Sequence, residues 1–313
     1  MRDLLHLARF LFILVLILAI DALAGEPRNP VTELRTGKNS RLAQEALARF
    51  KSGKAAEMVP VLEEAVSLDP ESPLLHHLLG VALRVTSYAE DMARRDADLV
   101  RLRAMEEQDE ALRLFPGYGE AWYERALLLE SMSQYKQAAE TMALAIRFEP
   151  LKDSYREDQL RILVMTLEPD APIRALREWV ALQPNNWNAH AMLGSALAGT
   201  GKVEEGIAEY RRSLELKRSD WVPIWLGTLL AERGRWKEAD AAFAQGEGGT
   251  EFALCWYSRA VMQVRMGHMK EAQGLLAKLK ETGKQHNLVK RLEALLKDPK
   301  SEAALDVEAY EAP

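Results

Sequence analysis

The stretch WYERALLLESMSQYKQAAETMALAIRFEP, Trp122 to Pro150, decides the fold. Apolar residues recur every three or four positions up to Glu130, and again from Tyr135 to Phe148, so it reads as two amphipathic helices around a short turn. Pro150 ends the second helix, since proline has no N–H to continue the ladder. Pro116 lies 34 residues before it and Pro184 lies 34 after. Two further registers keep the period: Ala126, Leu160, Gly194, Gly227 and Ala260, and Ala138, Pro172, Gly206, Ala239 and Ala272, at intervals of 34, 34, 33 and 33. Most of these residues are small, as the contact points of two closely packed helices require. Gly53, Gly201, Gly234 and Gly267 fall at the turns, where a helix ends in a left-handed residue. The expected fold is all-α: a right-handed α-solenoid of about seven helix-turn-helix repeats.

These residues resemble the tetratricopeptide repeat family. Trp122, Tyr123, Ala126, Tyr135, Ala138, Ala145 and Pro150 follow its signature. Trp256-Tyr257-Ser258-Arg259-Ala260 with Gly267 and Ala272 gives a second match, Leu193-Gly194 with Gly201 and Tyr210 a third, and Leu226-Gly227 with Gly234, Trp236, Ala239 and Phe243 a fourth. Leu79-Gly80 opens another, and Gly53, Ala65 and Pro70 close the first. The array is expected over 39–283. The resemblance implies a surface that binds proteins and is nearly silent on the partner.

Composition agrees with a packed globular chain: 313 residues, 48% hydrophobic, 28% charged. A net charge of −6 argues against nucleic acid as a partner. The lone Cys255 excludes an intrachain disulfide framework and a cysteine-rich metal site, and is expected to be buried. Residues 1–24 read as a secretory signal: Arg2 and Arg9, the apolar run FLFILVLILAI from Phe10 to Ile20, then Ala22-Leu23-Ala24 as a cleavage site. The run is shorter than the ~20 residues of a spanning helix, so an uncleaved membrane anchor is the minority reading. The expected location is periplasmic or secreted, with no stable membrane span after cleavage. Residues 25–38 form a leader.

Two repeats depart from the pattern. Pro70 precedes Pro116 by 46 residues, so about twelve are inserted around 86–98, and a long second helix over 88–114 is expected. The repeat at 153–186 is degenerate, with Arg156 where its neighbours carry Trp122 and His190, and with Pro169 and Pro172 at its turn. Past 283 the period fades. His286 to Lys297, within 284–298, has Leu288, Leu292, Leu295 and Leu296 on one face and is expected to cap the array. Residues 299–313 read as an acidic disordered tail carrying Glu302, Asp306, Glu308 and Glu311.

No catalytic or metal motif appears, and no cofactor is expected. His76 and His77 are adjacent, so on a helix they diverge by about 100° and cannot share a metal. Arg125 and Arg259 are expected to pack their stems between helices with paired or solvated heads. Trp122, Trp236 and Trp256 are expected in the core. In this architecture the first helices of successive repeats line a concave groove, and counting along them places His77, Arg84, Tyr123, Glu130, Arg161, Trp221, Tyr257 and Arg265 there. Aromatic residues and arginine are the usual anchors of protein interfaces. Gly80, Trp122, Ala126, Ala138, Ala145, Pro150, Gly194, Gly227, Ala239, Trp256, Ala260 and Ala272 are assigned to repeat packing. The expected function is a non-catalytic scaffold or adaptor that binds a partner protein or peptide in this groove, in assembly of an envelope machine. The alternative is an accessory subunit of an envelope enzyme or polysaccharide-export complex that binds a saccharide or a synthase.

Overall fold

The computed structural model describes residues 41, 43–45, 48, 55–89, 92–248, 252–283 and 285–300. The signal, the leader, Gly53 and residues 301–313 of the tail lie outside the described residues. Among the described residues every regular element is a helix, and no helix is long and apolar enough to cross a membrane. The chain divides into two compact units at Leu167 and Glu168. The first holds α1 (Ala55–Leu68), α2 (Pro73–Thr86), α3 (Arg94–Leu114), α4 (Gly119–Ser131), α5 (Tyr135–Phe148) and α6 (Asp153–Met165). The second holds α7 (Ala171–Leu182), α8 (Trp187–Gly199), α9 (Val203–Leu216), α10 (Val222–Glu232), α11 (Trp236–Gln245), α12 (Phe252–Arg265), α13 (Met269–Glu281) and α14 (His286–Lys297). Within each unit the helices pack in sequence order, α2 on α3, α4 on α5, α8 on α9, α10 on α11 and α12 on α13.

The small residues sit where two backbones meet. A Cβ on Gly206 of α9 would stand 2.8 Å from the carbonyl oxygen of Gly194 on α8. A Cβ on Gly227 of α10 would stand 2.6 Å from the ring of Phe243 on α11, and one on Gly80 of α2 2.3 Å from the side chain of Gln108 on α3. Ala126, Ala138, Ala145, Ala239, Ala260 and Ala272 are fully buried. Gly201 adopts φ +82 at the α8–α9 turn, a conformation that side chains resist. The same turn in the degenerate repeat is made by Leu167 at φ +59, and the unit boundary falls there. In that repeat the two small-residue registers carry Leu160 and Pro172. Pro172 lies in the first turn of α7, where its missing N–H costs no helical bond. The single array expected over 39–283 is thus two units among the described residues.

One hydrogen bond repeats through both units. The carbonyl of each closing proline accepts from the side chain six residues on. Trp122 Nε1 donates to Pro116 over 2.9 Å, and Arg156 Nη2 donates to Pro150 over 3.5 Å. His76 Nε2 stands 3.0 Å from the Pro70 carbonyl, and His190 Nε2 stands 3.1 Å from that of Pro184. Arg156 therefore makes the same contact as its Trp and His counterparts.

Two local expectations are corrected. The helix expected over 88–114 begins at Arg94. Thr86 and Ser87 turn their hydroxyls back onto the carbonyls of Ala82 and Arg84, which ends α2 at Thr86. Trp122, Trp236 and Trp256 are half-buried at the edge of the core. The tryptophan with the deepest burial is Trp179 of the degenerate repeat, 1% exposed. At the C-terminal end α14 packs against α12 and α13 through Leu288, Leu292 and Leu295.

Candidate functional site

The first unit carries a cavity of about 630 Å³ lined from α2, α4 and α6 and from the inserted segment. Arg84 comes from α2, Tyr123 and Glu130 from α4, Arg161 from α6: four of the eight residues assigned to the groove share it. Helical spacing explains the convergence. Tyr123 and Glu130 are two turns apart on one face of α4, and Asp158 and Arg161 are one turn apart on α6.

The charges are held in internal pairs. Arg84 Nε donates to Glu124 over 2.6 Å, with both side chains mostly buried. Burial opposes the charge of Arg84, but the attraction and hydrogen bond of Glu124 and the hydrogen bond with Tyr88 hold its pKa above the usual arginine value. Arg161 pairs with Glu130 across to α4 and with Asp158 over 2.8 Å on its own helix. The Tyr123 hydroxyl donates to Asp158 over 2.7 Å. Burial, then that carboxylate, pushes the phenol well above its ordinary pKa, so it stays a donor. Its ring stacks on Tyr155 at 4.3 Å between centroids.

The insertion supplies a wall that residue counting missed. Tyr88 lies in the turn before α3, and the Arg101 guanidinium of α3 stands 5.6 Å from the centre of its ring. Arg101 Nη1 donates to Asp98 over 2.8 Å, whereas its buried Nε has no hydrogen-bond partner. Leu127, Ser131, Tyr135, Asp158 and Met165 complete the lining. Asp158 was legible as the residue one turn before Arg161. Tyr88 was hidden by the expectation that 88 already lay inside a helix.

The second unit has a different cleft of about 430 Å³ on α8, α9 and α10, with Trp221 and Trp225 on its rim and Tyr210, Ile224 and Leu229 beneath. Trp221, the fifth groove residue, belongs to this cleft.

The remaining three are corrected. His77 is buried, 4.8 Å from the Tyr118 ring, with Gln108 bonded to both its Nδ1 and its carbonyl. Burial lowers its pKa, whereas His76 beside it is raised. For His76, desolvation is outweighed by the Glu107 hydrogen bond, the Pro70 carbonyl and the charges of Glu107 and Glu110. Tyr257 is 3% exposed within the core of the second unit. Arg265 bonds to the Pro299 carbonyl just past α14. The cause is coverage: α2 and α12 each bury ten residues, against five on α4 and four on α6.

Arg125 pairs with Asp109, and Arg259 with Asp240 and Glu247. Cys255 is buried. Among the described residues no group of three or more His, Cys, Asp or Glu stands close enough to hold a metal ion.

Comparison with known proteins adds a family. Tetratricopeptide repeat family profiles match residues 119–150 and 168–220. No curated protein matches the chain in sequence. Among solved structures, that of Naa15/Naa10 bound to HypK-THB is similar at 13% identity and a TM-score of 0.50, over 85% of this chain and 43% of that one. A tetratricopeptide repeat protein from Parabacteroides merdae is similar at 14% identity and a TM-score of 0.48, over 83% of this chain and 98% of that one. A MamA RS-1 double mutant is similar at 19% and 0.45, over 58% and 96%. At these identities the likeness is one of fold alone. With its paired helices and its small-residue contacts, the chain carries tetratricopeptide repeats at 119–150 and 168–220.

Proposed function

We propose that the chain is an exported, non-catalytic scaffold that binds a partner protein or peptide at the cavity of its first unit and takes part in assembling an envelope machine. The repeat family supports a protein–protein interaction scaffold. One observation carries the choice of surface: side chains from three successive first helices, Arg84, Tyr123, Glu130 and Arg161, converge on a single cavity. A chain lying there would cross α2, α4 and α6 in turn, and would meet tyrosine and arginine, the residue types that dominate interface energetics. Arg2 and Arg9 with the apolar run Phe10 to Ile20 and Ala22-Leu23-Ala24 support export.

The test is affinity capture from envelope extract, with the chain beside a Tyr123→Ala, Arg161→Glu double variant of equal helicity. A partner held by the first and lost by the second is expected. Equal retention by both overturns the cavity as the binding surface. Sequencing the N-terminus of the exported protein is expected to begin at Gly25; recovery only with Met1 in the cytoplasm overturns export.

A further inference from the structure

We propose that the cleft of the second unit is a saccharide site, in which a pyranose oligosaccharide stacks on the indoles of Trp221 and Trp225. This goes beyond the protein-binding reading and does not depend on it. Trp221 precedes α10 and Trp225 lies within its first turn, so the two positions are about one helical turn, ~6 Å, apart along the axis. They are 43% and 44% exposed, in a structure whose other tryptophans are buried or half-buried. Tyr210 lies against Trp225, with 6.3 Å between ring centres, and holds it from behind.

The rim carries planar polar groups with nothing to bind. Glu232 and Arg233, both exposed, have no ion pair or side-chain hydrogen bond among the described residues. They contrast with Arg84 and Arg161 in the first unit, whose charges are already met by carboxylates. Ser195 and Thr228 add hydroxyls that can donate or accept.

The lining suits a sugar. This cleft is an open aromatic shelf above an apolar floor of Ile224 and Leu229. A pyranose has one face of C–H groups and an edge of hydroxyls. It can lay the first on an indole, which is apolar in its body and wet at its edge. Its hydroxyls then reach Glu232, Arg233 and Thr228 while the outer face stays in water.

The experiment is calorimetric titration of the full chain with cello-, chito-, manno- and galacto-configured tetrasaccharides and with a synthetic peptide of residues 301–313. Saturable binding of at least one tetrasaccharide is expected, weakened about tenfold or more by Trp225→Ala and several-fold by Arg233→Ala. Tyr123→Ala, in the first unit, should leave it unchanged. Arg233 is exposed and unpaired, so its variant reports on the site even if Trp225→Ala perturbs α10. Three results overturn the proposal: no tetrasaccharide binding at millimolar concentration, binding that survives both cleft variants, or a response to the peptide alone. Each of these leaves the capture experiment on the first unit untouched, and a failed capture leaves the saccharide titration standing.

Discussion

The two units share a framework and differ in the chemistry they expose. In the first, Arg84 is paired with Glu124, and Tyr123, Glu130, Asp158 and Arg161 form a polar network of their own. In the second, Trp221, Trp225, Glu232 and Arg233 occupy equivalent first-helix ground and engage one another little. The lesson is that the helix-pair scaffold fixes where a surface residue stands, through Gly, Ala and Pro at fixed registers, and leaves its identity free. Recognition chemistry can then change from one group of repeats to the next without altering the packing.

The largest effect should come from the framework. Gly206→Leu puts a side chain where even Cβ meets the Gly194 carbonyl oxygen, and backbone cannot yield as a side chain can. A loss of about 3 kcal/mol is expected, at the top of the overpacking range. Amide exchange should show it in α8 and α9 while α2 to α5 stay protected; equal loss in both would break the separation into units. Next, Tyr123→Phe should cost the first unit about 1 kcal/mol by chemical denaturation, since Asp158 loses a hydrogen-bond donor. Glu232→Gln in the second unit should change nothing measurable, and comparable losses would mean that its rim is paired after all.

Arg161→Ala should cost at most about 1 kcal/mol, because the arginine is half exposed. It should nonetheless weaken partner capture, which separates a recognition role from a structural one.

The smallest effect is a drift with pH. The His76 pKa is raised above 6.5 in the folded chain, so its protonated ring stabilises the first unit fully below about pH 6.5. That contribution is lost as pH rises through the raised value, and exchange of α2 and α3 should accelerate accordingly. A slope of the opposite sign would mean that burial of the ring outweighs Glu107. His76→Gln should remove the contribution of His76 and leave the opposite one of His77, whose buried ring is held neutral.

Much of this was legible from spacing. Small residues at intervals of 34 and 33 gave the helix contacts, and the proline series gave the helix ends. The faces were less legible. A period identifies which residues share a side of a helix, but not how much of that side its neighbours cover. His77 and Tyr257 were counted onto an open face and lie under one, because α2 packs against α1, α3 and α4, and α12 against α11, α13 and α14. Tyr88 escaped because it belongs to the insertion, and Arg101 because it follows directly after it, where the period offers no register. The unit boundary had a trace in Leu160 and Pro172, the large and rigid residues in otherwise small registers.

The proline hook has a consequence for how such repeats drift. A carbonyl that accepts from Trp122, Arg156, His76 or His190 asks only for an N–H at the right reach. Three side chains of different size, charge and codon family meet that demand. The position can therefore wander through sequence space while its bond persists, and a repeat can lose its recognisable spelling long before it loses its grammar.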